Sequence, residues 1–208
     1  MNIIGIDFSI NKPAACVFTS GKYYFYSWPY ELAEKYLYIY KTGGVTIINR
    51  IDNKDKGESL TTKMRYEVEN SKYLANLITE TLLCYLSRDT YLAFEGLSYG
   101  SSGDVGIQLG SYKYMLMHAL TQHVPLENMF TYSPITVKSI AGCAKKGMKK
   151  TEMINEFIRN GPICKFRLSL FEKRELFMKR GERNWIDLVD DCVDSYFILE
   201  TLRKKENI

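Results

Sequence analysis

Four carboxylates in this chain stand where they could do chemistry. Asp7 ends the apolar run NIIGID, and Glu95 ends a second run, YLAFE, just before a Gly/Ser loop. Asp191 and Asp194 lie early in NWIDLVDDCVDSYFILETLRKK, which reads as a helix. At ~100° per residue Asp187, Asp191 and Asp194 share one face of it. That face continues through Ile198 to Leu202, so the acidic stripe turns apolar and heads for the core. Carboxylates entering a core without cations one turn away repel each other and resist ionisation, unless a divalent cation neutralises them. Hard cations such as Mg²⁺ are held by a few carboxylates, with water and substrate phosphate completing the shell. Two such ions at about 3.5–4 Å activate a water on one side of a phosphodiester and stabilise the leaving oxygen on the other. The set predicts metal-dependent phosphodiester hydrolysis, the chemistry of a nuclease. Each acid alone has a plainer reading: Asp7 as a turn-initiating residue, Glu95 as a loop acid, Asp190 as a solvated side chain. Asp187 fits the third position of a helix capped by Asn184.

The elements that must position these acids follow from the apolar pattern. NIIGID and AACVFTS, around the Pro-containing turn FSINKP, predict an antiparallel pair, and GKYYFYSW continues as a third strand. Residues 64–87 place Val68, Tyr73, Leu74, Leu77, Ile78, Leu82 and Leu83 near helical spacing before the strand YLAFE. A second helix, about 104–122, carries Leu109, Tyr112, Leu116, Ala119 and Leu120 along one face. MFTYSPITVKSI reads as a strand interrupted by Pro134, followed by a helix over about 150–159. Residues 29–63 read as an insertion, with YELAEKYLYIY a short helix or strand, GGVTIINRID a strand and NKDKGES a polar loop, and 161–183 read as a basic connection. The order predicts one α/β domain over 1–208, with a mixed five-stranded sheet, its first three strands antiparallel, flanked by helices.

Composition narrows the class. The 208 residues are 46% hydrophobic and 25% charged, as in a globular protein. No apolar run approaches the ~18 residues of a membrane span, and the N-terminus lacks a signal-peptide pattern, so the expectation is a cytoplasmic protein without a membrane partner. Cys16, Cys84, Cys143, Cys164 and Cys192 form no CxxC pair and read as reduced core thiols. His118 and His123 read as structural histidines, and Trp28 and Trp185 as packing residues. Charge is uneven: Lys138 to Arg183 holds thirteen Lys and Arg against five Asp and Glu, a net +8 within a chain of +4. A patch of that sign is either a solvated face or a surface for a polyanion.

Together IIGIDFSINKPA, LAFEGLSYG, SPITVKSIAGCAKKGMKKTEM and DDCVDSYFIL resemble the four sequence blocks of RuvC-type Holliday-junction resolvases, members of the RNase H-like superfamily. The resemblance implies an RNase H-like fold and two Mg²⁺ ions per site, with Mn²⁺ able to substitute. It makes Asp7, Glu95, Asp191 and Asp194 both the metal ligands and the catalytic residues. It implies branched DNA, a four-way junction, as the partner, cut by a homodimer whose paired sites nick opposing strands. Lys138, with Lys149 or Lys150 and the neighbouring Lys145 and Lys146, would face phosphates, and Tyr99 would enter the junction. Tyr99 stands one place later than the family's wedge aromatic, and the third-block glycines, Gly142 and Gly147, are more widely spaced. Segments 29–63 and 161–183 lie outside the four blocks, as in a viral or otherwise divergent member. Tyr114, Met115 and Met117 add apolar surface to the second helix where a partner subunit could dock. Related activities on forks, flaps or RNA/DNA hybrids, and an inactive branched-DNA-binding protein, are the alternatives.

Overall fold

A computed structural model describes residues 1–30, 32, 37, 40–50, 59–96, 103–144, 150–178 and 187–208. Three strands, β1 (Asn2–Asp7), β2 (Ala14–Thr19) and β3 (Lys22–Ser27), form the expected antiparallel meander. Ser20 and Gly21 both have positive φ, 50° and 76°, which gives the two-residue turn the twist that β2 and β3 require. A short strand, β4 (Val45–Ile47), then runs parallel to β3. Helix α1 (Leu60–Leu82) leads to β5 (Thr90–Glu95), and α2 (Gly103–Leu120) leads to β6 (Met129–Tyr132). Four helices follow: α3 (Pro134–Ile140), α4 (Lys150–Asn160), α5 (Lys165–Glu172) and α6 (Asp187–Glu206). The sheet order is β4-β3-β2-β1-β5-β6, with β5 parallel to β1 and β6 parallel to β5.

The two faces of the sheet bury separate clusters. Ile4, Ile6, Ala15, Val17, Leu92 and Phe94 pack with Leu74, Ile78 and Leu82 of α1 and Tyr112, Leu116 and Leu120 of α2. Ile3, Ala14, Cys16, Phe25 and Ala93 pack on the other side with residues of α3 to α6. Trp28 is a packing residue, fully buried and donating its indole N–H to Thr81 Oγ1 at 3.2 Å. Among the described residues no helix is long and apolar enough to cross a membrane.

Several expectations are corrected. The sheet has six strands rather than five, because Val45–Ile47 of the supposed insertion adds to the β3 edge. Pro134 does not interrupt a strand. It opens α3, where its missing N–H costs nothing, and Ser133 caps the helix by accepting from the Thr136 amide at 3.3 Å. The supposed basic connection contains α5, whose Phe166 and Leu170 are buried with Phe177 in the α6-side core. Val68 and Tyr73 of α1 and Leu83 just past its end are exposed, and Ser71, Leu74, Ala75, Ile78, Thr79 and Leu82 form the inner face. Cys84 is exposed, unlike the buried Cys16, Cys143 and Cys192. Asn184 and Trp185 lie outside the described residues, as does the side chain of Asp187.

Candidate active site

Strand register sets the first two acids. Ile6 lies opposite Phe94 on parallel neighbours, so Asp7 and Glu95 each take the next position on its strand, just past the last β1–β5 pair. Alternation decides their face. Asp7 has the parity of Ile3 and pairs with Ala14, and Glu95 has the parity of Ala93, all residues of the α6 side. Both acids are partly exposed at the strand ends.

Helix α6 approaches β1 from that side at backbone contact. A Cβ on Gly5 would collide with the Ser195 carbonyl oxygen and lie 2.5 Å from the Leu199 nitrogen, so only glycine fits between strand and helix. The far end of α6 is tied to the start of β3: Tyr23 donates to Glu200 at 3.0 Å, and Arg203 donates to the Tyr23 hydroxyl at 2.7 Å. The helix therefore runs opposite to β1. Asp191, four residues (~6 Å) before Ser195, comes level with Asp7, two residues (~6.6 Å) beyond Gly5. Cys192 reports the same proximity. Burial, then the Asp191 carboxylate, then that of Asp7, push its thiol well above the ordinary range, so both acids act on one sulfur. Asp194 is partly exposed three residues on, and the stripe continues into the fully buried Ile198 and Leu202.

Two buried cations brace this end of the sheet, and neither stood out in the sequence. Lys113 of α2 is 5% exposed and donates from Nζ to the main-chain carbonyl of Glu95 at 2.6 Å. Its ammonium lies 5.6 Å from the centre of the Phe94 ring. Burial pushes its pKa down to about 8, while the nearby Glu95 carboxylate works the other way. Arg50 is 4% exposed and donates to Trp28 O at 2.8 Å, Ile10 O at 2.6 Å and Asn11 O at 3.0 Å. It thus holds the turn that follows Asp7. The signal for Lys113 was legible: Leu109, Lys113, Leu116 and Leu120 follow helical spacing, with the lysine inside the apolar stripe. Arg50, at the end of GGVTIINR, had none.

The donors suit a hard divalent cation, being carboxylates throughout, while burial keeps the neighbouring Cys192 a thiol. Among the described residues no three His, Cys, Asp or Glu side chains form a ready metal cage. An open arrangement is compatible with Mg²⁺, which keeps several waters and shares substrate phosphate rather than filling an all-protein cage. Lys138 is exposed in the last turn of α3, which starts just past the C-terminal end of β6, at the same edge of the sheet as the acids. Lys145, Lys146, Lys149 and Tyr99 lie outside the described residues, as does the side chain of Lys150. His118 and His123 lie at the C-terminal end of α2, at the opposite end of the sheet; His118 is exposed and His123 partly so.

No protein-family model and no curated protein sequence matches this chain. Among solved structures, Thermus thermophilus RuvC matches over 99% of this chain and 97% of its own length, with a TM-score of 0.52 and 14% identity. T. thermophilus RuvC in complex with a Holliday junction substrate matches at a TM-score of 0.53 and 13% identity, covering 99% and 96% of the two chains. The fold is that of RuvC. RuvC and this chain are thus alike in architecture across nearly the whole length while sharing few residues.

Proposed function

We propose that this chain is an endonuclease that resolves four-way DNA junctions by Mg²⁺-dependent phosphodiester hydrolysis. The reading rests on one arrangement: Asp7 and Glu95 side by side on the α6 face, with Asp191 level with them, in a fold shared with a RuvC that binds a Holliday junction substrate. Asp7, Glu95, Asp191 and Asp194 would hold two Mg²⁺ ions, or Mn²⁺ in their place. When bound, such ions activate water and stabilise the leaving oxygen. The chain's own residues supply position and charge: Lys138, with Lys145, Lys146, Lys149 and Lys150, would take the phosphates, and Tyr99 would stack at the branch point.

A junction of approximate two-fold symmetry calls for two sites related by a two-fold axis, hence a homodimer. On α2, Ile107 and Tyr114 are 70% and 66% exposed, seven residues apart on one side, whereas Met115 and Met117 pack against the core and give a partner less than the sequence suggested. Leu60, Met64 and Val68 extend exposed apolar surface along α1. The decisive experiment offers the protein four-way junctions, forks, flaps, linear duplex and RNA/DNA hybrids, with Mg²⁺ and with chelator. Paired, symmetric nicks in junctions with Mg²⁺ alone are expected. Preference for flaps or hybrids would move the assignment to a related nuclease, and tight junction binding without any cleavage would make it a branched-DNA-binding protein. Sedimentation showing a strict monomer with and without junction would refute paired nicking.

A further inference from the structure

Lys113 is a costly residue for its position. It is buried in the stripe of α2 that carries the buried Leu116 and Leu120, where a methionine would fill similar space without desolvating a charge. The ammonium reaches past this apolar layer to the main-chain carbonyl of Glu95, at 2.6 Å. Glu95 pairs with Tyr132 of β6 and lies one residue beyond the last β1–β5 pair, Ile6–Phe94, so the ladder to β1 ends just before it. On its other side the Gly96 amide still donates to Tyr132 O at 2.7 Å. Lys113 thus adds, from the face opposite α6, a hold on the Glu95 carbonyl at the point where the β1–β5 ladder ends.

We propose that Lys113 is a positioning residue for the metal centre: by fixing the carbonyl of Glu95 it sets the direction in which the Glu95 side chain leaves β5, towards Asp7 and α6. This rests on the reading of Glu95 as a metal ligand. The lysine touches neither cation nor DNA and acts through the glutamate alone.

The test uses the full-length protein with Lys113→Met, which keeps the packing volume, and Lys113→Arg, which keeps a donor. Binding of Mn²⁺ without DNA is followed by electron paramagnetic resonance, beside kcat and KM on a four-way junction with Mg²⁺. Lys113→Met is expected to weaken Mn²⁺ binding and lower kcat by about tenfold or more, as loss of a group that orients a ligand does, with KM within about twofold. Lys113→Arg should recover most of both. Unchanged or tighter Mn²⁺ binding with unchanged kcat in Lys113→Met would overturn the inference. If Lys113→Met melts below the assay temperature, Lys113→Gln is read against the same thresholds. A wild-type protein that binds Mn²⁺ yet cleaves no nucleic acid would defeat the nuclease reading, while the Mn²⁺ comparison would still decide the role of Lys113.

Discussion

The strand-borne acids and the helix-borne acids arrive at the same end of the sheet by different physics. Asp7 and Glu95 are held by backbone hydrogen bonding: register makes them neighbours, alternation gives them one face, and buried Lys113 and Arg50 brace the chain where the strands end. Asp191 and Asp194 have no such ladder. Their place follows from helical spacing and from the seating of α6 on Gly5, which leaves no room for a side chain. The strand pair is set by register, and the helix pair by the docking of the whole helix, at Gly5 and through Tyr23, Glu200 and Arg203. A centre built this way fails in two distinguishable manners.

The sharpest break is Gly5→Val. The new side chain must displace α6, so cleavage should be lost and stability should fall by about 3 kcal/mol or more, as for severe overpacking, read by denaturant melts beside a junction assay. Unchanged stability would mean that α6 is not seated as described. Next come the acids themselves. Asp7→Asn, Glu95→Gln, Asp191→Asn and Asp194→Asn should each lower cleavage more than about a hundredfold, since each ligand supports several kcal/mol of charge stabilisation. Junction binding in chelator should be equal or tighter, because repulsion of phosphate is reduced. Full activity in any one variant removes that residue from the centre.

Arg50→Met separates bracing from chemistry. It strips a charged donor from the carbonyls of Trp28, Ile10 and Asn11 and should cost about 3 kcal/mol of stability, visible as a lower melting temperature. Its effect on kcat should be smaller than that of any carboxylate variant. A loss of rate as large as that of Asp7→Asn would promote the turn after Asp7 to a direct part in the reaction. The smallest effect belongs to Lys138→Ala. Being exposed, Lys138 should alter mainly the salt dependence of junction binding, by about one unit of log–log slope, and an unchanged slope would return it to the solvated surface.

Much of this was readable from the chain. Asp7 and Glu95 were legible because an apolar run ending in an acid is a local pattern, and Asp191 and Asp194 because helical spacing carries them into Ile198 and Leu202. The meander and α2 were legible for the same local reasons. β4 was legible as a strand within GGVTIINRID, but its place in the sheet was not, because its partner β3 is chosen by tertiary packing. α5 was hidden by its caps and charges: its N-cap is Cys164, whose sulfur accepts from the Arg167 amide at 3.5 Å, a residue type that signals no helix start. Lys113 was passed over because a lysine counts as surface by composition, although its stem is apolar and only its tip needs a partner.

The contact at Gly5 also bears on how the molecule comes into being. β1 meets β2 within a few residues of chain, but it meets β5 only across about ninety residues and α6 only across the length of the protein. Contacts of such sequence separation carry the larger loop-closure cost and slow the folding step that makes them. The meander can therefore form while Asp191 and Asp194 are still far from Asp7. On this hypothesis any partly folded population holds at most half of the acids and cannot cut DNA, so competence arrives only with the last long-range contact. In refolding experiments, recovery of cleavage should lag behind recovery of sheet structure, and simultaneous recovery would show that α6 docks together with the strands.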